Sequence, residues 1–166
     1  PRAVIVDDST RELAASLAPE GSVIDAQELF AAEENAVTLA AVRAASIDTD
    51  PAYIVFTSGS TGVPKGVTGS HRALMDYANA LCPVIGADED SVFAMQVPLH
   101  VDACMKELLS VIKCGSTAYI MQQSMFMSPI KAVEFLNEHK VNTLCWVASA
   151  LTIISGLGAF EDVKPK

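Results

Sequence analysis

Short β-branched runs alternate with stretches of helical spacing along most of this chain. Residues 3–6 (AVIV) form an apolar run ended by Asp7 and Asp8, which reads as a buried strand. Ser9 or Thr10 is placed to cap a helix over 11–17, with Pro19 and Gly21 to close it. Val23 and Ile24 suffice for a brief second strand. Residues 26–45 are rich in Ala and Glu, and Leu29, Phe30, Val37, Leu39 and Val42 are only loosely periodic, so no element is assigned there. After a polar connector at 47–51, residues 53–56 read as a strand and 65–68 as its returning hairpin partner. Ser70 caps a helix over 71–82, with Leu74, Tyr77, Ala78 and Leu81 at helical spacing and Pro83 as the stop.

The second half repeats the alternation. Residues 91–97 read as a strand and 98–101 as a loop. The spacing of Met105, Leu108, Leu109 and Ile112 predicts one face of a helix over 103–113, stopped by Gly115. A strand over 117–121 follows, then a helix over 129–139 opened by Ser128 and Pro129, a strand over 141–146, and a helix over 148–155 closed by Gly156. Met121, Met125, Phe126 and Met127 read as packing around a loop, and Trp146 as core. Such alternation predicts an α/β fold: a three-layer wound, mostly parallel sheet with helices on both faces and the functional loops at the strand ends.

Composition narrows the class. The 166 residues fit one domain, and 51% hydrophobic against 19% charged residues excludes a disordered chain. A net charge of −9 with scattered Lys and Arg argues against a nucleic-acid surface. Cys82, Cys104, Cys114 and Cys145 lie far apart in apolar contexts, which suits buried free thiols in a reducing cytoplasm and gives no metal or redox motif. Neither a secretory leader nor an apolar run of membrane-spanning length is present, so no membrane partner is expected. The chain starts at Pro1 and ends in a charged Val-Lys-Pro-Lys, and the expectation is a piece cut from a longer protein.

Residues 53–67 carry the clearest chemistry. They read YIVFTSGSTGVPKGV: an apolar strand runs straight into a loop of small residues ending in Pro64 and Lys65. Glycine lets backbone N–H groups approach a polyphosphate, hydroxyls add donors, and lysine adds a mobile positive charge. A flexible linker needs neither the strand in front nor the Pro and Lys behind. A Walker-type phosphate loop is disfavoured, because Pro64 stands where its second glycine belongs.

Residues 57–66 match every position of T-S-G-[ST]-T-G-x-P-K-G, and the chain is identified by it as similar to the AMP-forming adenylating enzymes, which include nonribosomal peptide synthetase adenylation domains, acyl-CoA synthetases and D-alanine:carrier-protein ligases. The resemblance implies that Thr57, Ser58, Gly59, Ser60, Thr61, Gly62 and Lys65 hold the β- and γ-phosphates of ATP while a carboxylate attacks the α-phosphate. It implies a partial N-terminal large domain spanning 1–166, with the small C-terminal domain and its catalytic lysine absent. The Mg²⁺ ligands are expected outside this segment, which alone would be inactive.

A second stretch, PLHVDACMKELLSVIKCGSTAYI, lays without gaps onto the family's F-D-x-S pattern and the acidic residue three places beyond it. By that resemblance Asp102 pairs with the α-ammonium of an amino acid, and Ala103, Lys106 and Cys145 face its side chain. His100 is placed near the substrate carboxylate, and Glu107 is the acidic residue. Val101 and Cys104 depart from the pattern, and Lys106 is unusual in an apolar pocket: it either snorkels outward or indicates a small or polar substrate. The competing role for Asp102 is a helix cap. The implied partners are an amino acid and the phosphopantetheine thiol of a carrier protein or CoA, with self-association through exposed apolar edges also expected. An acyl-CoA synthetase segment and a non-catalytic nucleotide-binding module remain alternatives. His71 reads equally as a phosphate neighbour or an exposed helix start, and His139 as a helix-dipole residue. No catalytic carboxylate pair or Ser-His-Asp triad is evident.

Overall fold

The computed structural model describes residues 3–17, 23–58, 62–126, 128–156 and 158. The chain divides into two compact units, Pro1–Ser46 and Ile47–Lys166. In the first, β1 (Val4–Val6) pairs in parallel with β2 (Val23–Asp25), Val4 opposite Val23. Only Val6 of β1 is buried, so the strand is less enclosed than its composition suggests. The helix α1 (Arg11–Leu17) forms where expected, but neither Ser9 nor Thr10 caps it. Instead the Asp7 carboxylate accepts from the Ser9 and Thr10 amides, both at 3.0 Å, and from both hydroxyls at 2.7 Å. Those donors hold its acidity above that of an ordinary aspartate. Asp25 caps α2 (Ala26–Ala31) through the Gln27 amide and pairs with Arg11. Asn35 caps α3 (Ala36–Ala45) through the Thr38 amide. None of these helices buries a residue, which explains why 26–45 lacks a clear apolar stripe. The expected stop at Pro19 and Gly21 lies outside the described residues.

The second unit opens on the hairpin of β3 (Pro51–Thr57) and β4 (Lys65–Ser70), antiparallel as expected, with Thr57 opposite Lys65 at its tip. Ser70 accepts from the Ala73 amide and starts α4 (His71–Ile85). Pro83 does not stop that helix: it deletes one N–H near the end, and the turn runs on to Gly86, whose φ of 65° ends it. The bidentate contact of Arg72 with Asp48, at 2.7 and 2.8 Å, ties the helix start to the connector.

Gly69 is required where it stands. A β-carbon there would lie 2.2 Å from the Tyr53 ring on the facing strand. Gly69→Ala is expected to push that ring aside and to destabilise the protein by about 1–3 kcal/mol, read as a lowered urea midpoint; an unchanged midpoint would mean that the ring moves freely.

The remaining elements are β5 (Val92–Met95), a 3-10 turn at Asp102–Cys104, α5 (Met105–Cys114), β6 (Thr117–Ile120), α6 (Gln123–Phe126), α7 (Pro129–Glu138) and α8 (Ala148–Gly156). β5 and β6 are parallel. Gly115, at φ 69°, closes α5 as expected. The core gathers Ala94, Met121, Val133, Leu136, Trp146 and Ile154, with Met125 packed against it. His139 ends α7, but it stacks on Tyr119 at 4.1 Å and meets Phe135 edge-on, an aromatic cluster that the helix-dipole reading did not anticipate.

Three expectations are corrected. The stretch 141–146 is not a strand: the amides of Asn142 and Thr143 both donate to Val92 O, and the Asn142 side chain takes the Val92 amide. That side-chain competition leaves a single bridge, Thr143 to Phe93, although Trp146 is core as expected and donates to Ala94 O at 2.7 Å. The inward residues of α5 are Glu107 and Ser110, whereas Ile112 is 70% exposed. Tyr77 is exposed on α4 and does not belong to its packed face. The class is α/β as expected, and the described strands pair two by two, β1–β2, β3–β4 and β5–β6.

Candidate functional site

Three of the substrate candidates, Asp102 and Ala103 on the 3-10 turn and Lys106 on α5, meet at a cleft walled by α4 and β3. A cleft of about 540 Å³ is lined by Tyr53, Ala73, Leu74, Tyr77, Asp102, Ala103, Met105 and Lys106. Asp102, Ala103 and Lys106 thus come together as the residue pattern implies. The 3-10 turn matters here, because it places Asp102 just before α5 while its carboxylate stays out of the backbone bonding. Neither the turn nor α5 has a side-chain cap hydrogen bond. The capping role therefore does not occupy Asp102, which stands solvent-accessible at the cleft.

Cys145 does not line the cleft. It is half-buried, and its thiol is pushed up by burial, then by the nearby Glu107. Burial likewise raises the Tyr77 phenol, with Cys145 and Asp102 adding to it. His100 is exposed in the loop before the turn and is not a lining residue. His71 is the exposed first residue of α4.

At the hairpin tip, Thr57, Ser58, Gly62 and Lys65 are exposed, and Gly62 adopts φ 80°, a conformation that glycine accepts without strain. Exposed hydroxyls, a lysine and a left-handed glycine suit the approach of an oxyanion. The assignments to Gly59, Ser60 and Thr61 lie outside the described residues. Among the described residues no group of three or more His, Cys, Asp or Glu could hold a metal ion. No described helix is long and apolar enough to cross a membrane.

Sequence reasoning missed Tyr53 and Tyr77 as cleft walls and did not foresee the environment of Glu107. Glu107 is fully buried, and neither carboxylate oxygen has a hydrogen-bond partner. Burial raises its pKa from 4.5 to about 7, against the Lys106 charge and the nearby Cys145 amide, which approaches without reaching good hydrogen-bond geometry. The folded protein therefore holds this proton more tightly than the unfolded chain does. Stability is expected to fall as pH rises from the unfolded value through about 7, a loss on the order of 3 kcal/mol. Glu107→Gln should flatten that slope in urea unfolding at a series of pH values; an equal slope in the variant would remove Glu107 as its source.

Comparison with known proteins supplies the context. The family described as AMP-binding enzyme matches residues 1–165. An L-proline--[L-prolyl-carrier protein] ligase of Pseudomonas fluorescens is 32% identical over 105 residues, covering 63% of this chain and 21% of that protein. A D-alanine--D-alanyl carrier protein ligase of Lacticaseibacillus casei is 35% identical over 99 residues, covering 60% of this chain and 20% of that protein. The chain thus spans about a fifth of the length of these two relatives. Among solved structures, the N-terminal domain of FACL13 from Mycobacterium tuberculosis superposes with a TM-score of 0.77 at 21% identity, covering 99% of this chain and 42% of that one, which is a likeness of fold.

Proposed function

The chain belongs to the AMP-binding enzyme family, and from that membership we propose that it is the phosphate- and substrate-binding part of the large domain of an ATP-dependent, amino-acid-activating ligase. In this reading the hairpin tip, with Thr57, Ser58, Gly62 and Lys65, holds the β- and γ-phosphates of ATP. The cleft holds the amino acid with its ammonium on Asp102. The amino acid carboxylate oxygen forms a bond to the α-phosphorus, the bond from that phosphorus to the bridging oxygen breaks, and pyrophosphate leaves with the electron pair. Lys65 and the loop donors stabilise the charge gathering on the departing phosphates. Asp102 fixes the substrate so that its carboxylate is presented for attack. Mg²⁺, when bound, would add charge neutralisation from ligands outside the described residues, and a carrier-protein thiol or CoA would accept the acyl group.

The observation that carries this reading is the Asp102 carboxylate standing in the cleft and unused by either helical turn. The exposed Asp102 carboxylate loses water when a substrate fills the cleft, and that loss is offset only when the substrate brings a cation. A plain acyl substrate brings none. The test is ATP–pyrophosphate exchange by the intact protein with the proteinogenic amino acids and their desamino counterparts. Exchange supported by an amino acid and much weaker with its desamino acid is expected. Equal exchange with both would favour acyl activation and sink the ammonium role.

A further inference from the structure

We propose that Cys82 and Cys114 form a dithiol that closes to a reversible disulfide, fastening the end of α4 to the end of α5. About thirty residues separate the two, so nothing in their spacing announces the pair. Hydrogen bonds from both thiols fix their placement. The Cys82 thiol, buried on α4, donates to the Ser110 hydroxyl on α5 at 3.7 Å. Ser110 and Cys114 are four residues apart on α5 and share one of its faces, with β-carbons about 5–6 Å apart. The Cys114 thiol donates to Ala87 O at 3.5 Å, and the Ala87 amide donates to Cys82 O at 2.9 Å. The last turn of α5 and the turn that ends α4 thus bring the two thiols together as side-chain partners.

The other thiols are placed differently. Cys104 donates to Leu99 O at 3.7 Å, and Cys145 feels Cys82 only through space, after burial, Glu107 and Lys106. Access is unequal within the pair. Cys82 is 3% exposed, whereas Cys114 is half-buried at the last residue of α5, between the exposed Lys113 and Gly115. Cys114 is therefore the thiol that an oxidant reaches, and Cys82 resolves from within, needing no entry of its own. Burial, then the Cys82 thiol, push the Cys114 thiol up, against the charge of Lys113. That slows its attack, and closure depends on the supply of oxidant.

The co-reactant is a low-molecular-weight disulfide. Cys114 gives its proton to solvent and its thiolate attacks one sulfur of that disulfide; the S–S bond breaks, and the other half leaves with the electron pair and takes up a proton. The Cys82 thiolate then attacks the Cys114 sulfur of the mixed disulfide, and the second small thiol leaves in the same way. Two protein thiols have lost two electrons and two protons, and the small disulfide has become two thiols. The new bond closes a loop of about thirty residues, which restricts the unfolded chain. It also ties together two helices that wall the cleft, α4 through Leu74 and Tyr77 and α5 through Met105 and Lys106.

The experiment exposes the intact protein to oxidised glutathione, blocks the remaining thiols with N-ethylmaleimide in urea, and maps peptides without reduction. A linked Cys82–Cys114 peptide is expected, with Cys104 and Cys145 blocked. The oxidised protein should unfold at a urea midpoint about 1–2 M higher, and dithiothreitol should reverse both changes. C114S should abolish the linked peptide and the shift, and C82A should leave glutathione attached to Cys114; the wild-type readouts stand by themselves if C82A does not fold. Glutathione retained on Cys114 in the wild type, a bridge through Cys104 or Cys145, all four cysteines blocked after oxidation, or a linked peptide with an unchanged midpoint would overturn the proposal.

Discussion

Replacing Asp102 with alanine in the intact protein is expected to lower amino-acid-dependent pyrophosphate exchange by about 100-fold, because truncating one partner of a charged, substrate-covered contact costs roughly 3 kcal/mol. The loss should fall on kcat/KM for the amino acid and leave the KM for ATP nearly unchanged. The carboxylate lies in the cleft and caps neither turn, so its removal takes no backbone hydrogen bond with it. Thermal stability should accordingly be preserved. The desamino acid, which never met Asp102 favourably, should gain relative to the amino acid. A variant that retains full exchange with an amino acid would show that the ammonium is bound elsewhere.

Lys65→Ala should be at least as damaging, by a different route. Lys65 opens β4 opposite Thr57 and is exposed, so the hairpin ladder survives its truncation through backbone bonds. What is lost, on the reading proposed above, is the cation that meets the leaving phosphates. Removal of one preorganised donor to a developing anion reduces turnover by about 100- to 1,000-fold, and here the loss should appear in kcat and in the KM for ATP. Lys65→Arg keeps the charge but replaces a compact ammonium with a planar fork, and partial activity is expected. A wild-type rate in the alanine variant would remove the hairpin from phosphate binding.

Local chemistry made much of this architecture legible in the sequence. The Ser70 cap, the Gly115 stop, and the strand running into the small-residue loop are decisions taken within a few residues, and the structure places them as the sequence implies; Gly156, expected as a stop, is instead the last residue of its helix. The cleft residues Asp102, Ala103 and Lys106 were legible only through the family resemblance, and the structure brings the three to one cleft. The failures share a physical origin in contacts between distant segments. Glu107 is charged by type, and only its packing beside Cys145 and Lys106 makes it a buried acid. Residues 141–146 have strand composition, yet Asn142 diverts the bonding of Val92 into its own side chain. Tyr77 has helical-face spacing, but it opens onto the cleft and leaves the packed face to Ala78 and Cys82. The helices of 26–45 bury no residue, so no apolar stripe could announce them.

The most direct measurement is a crystal structure of the intact protein with a non-hydrolysable aminoacyl-adenylate analogue, an aminoacyl sulfamoyl adenosine. The ligand ammonium is expected within about 2.7–3.2 Å of an Asp102 carboxylate oxygen, between the Tyr53 and Tyr77 walls. An ammonium pointing into solvent, or a ligand seated away from this cleft, would contradict it.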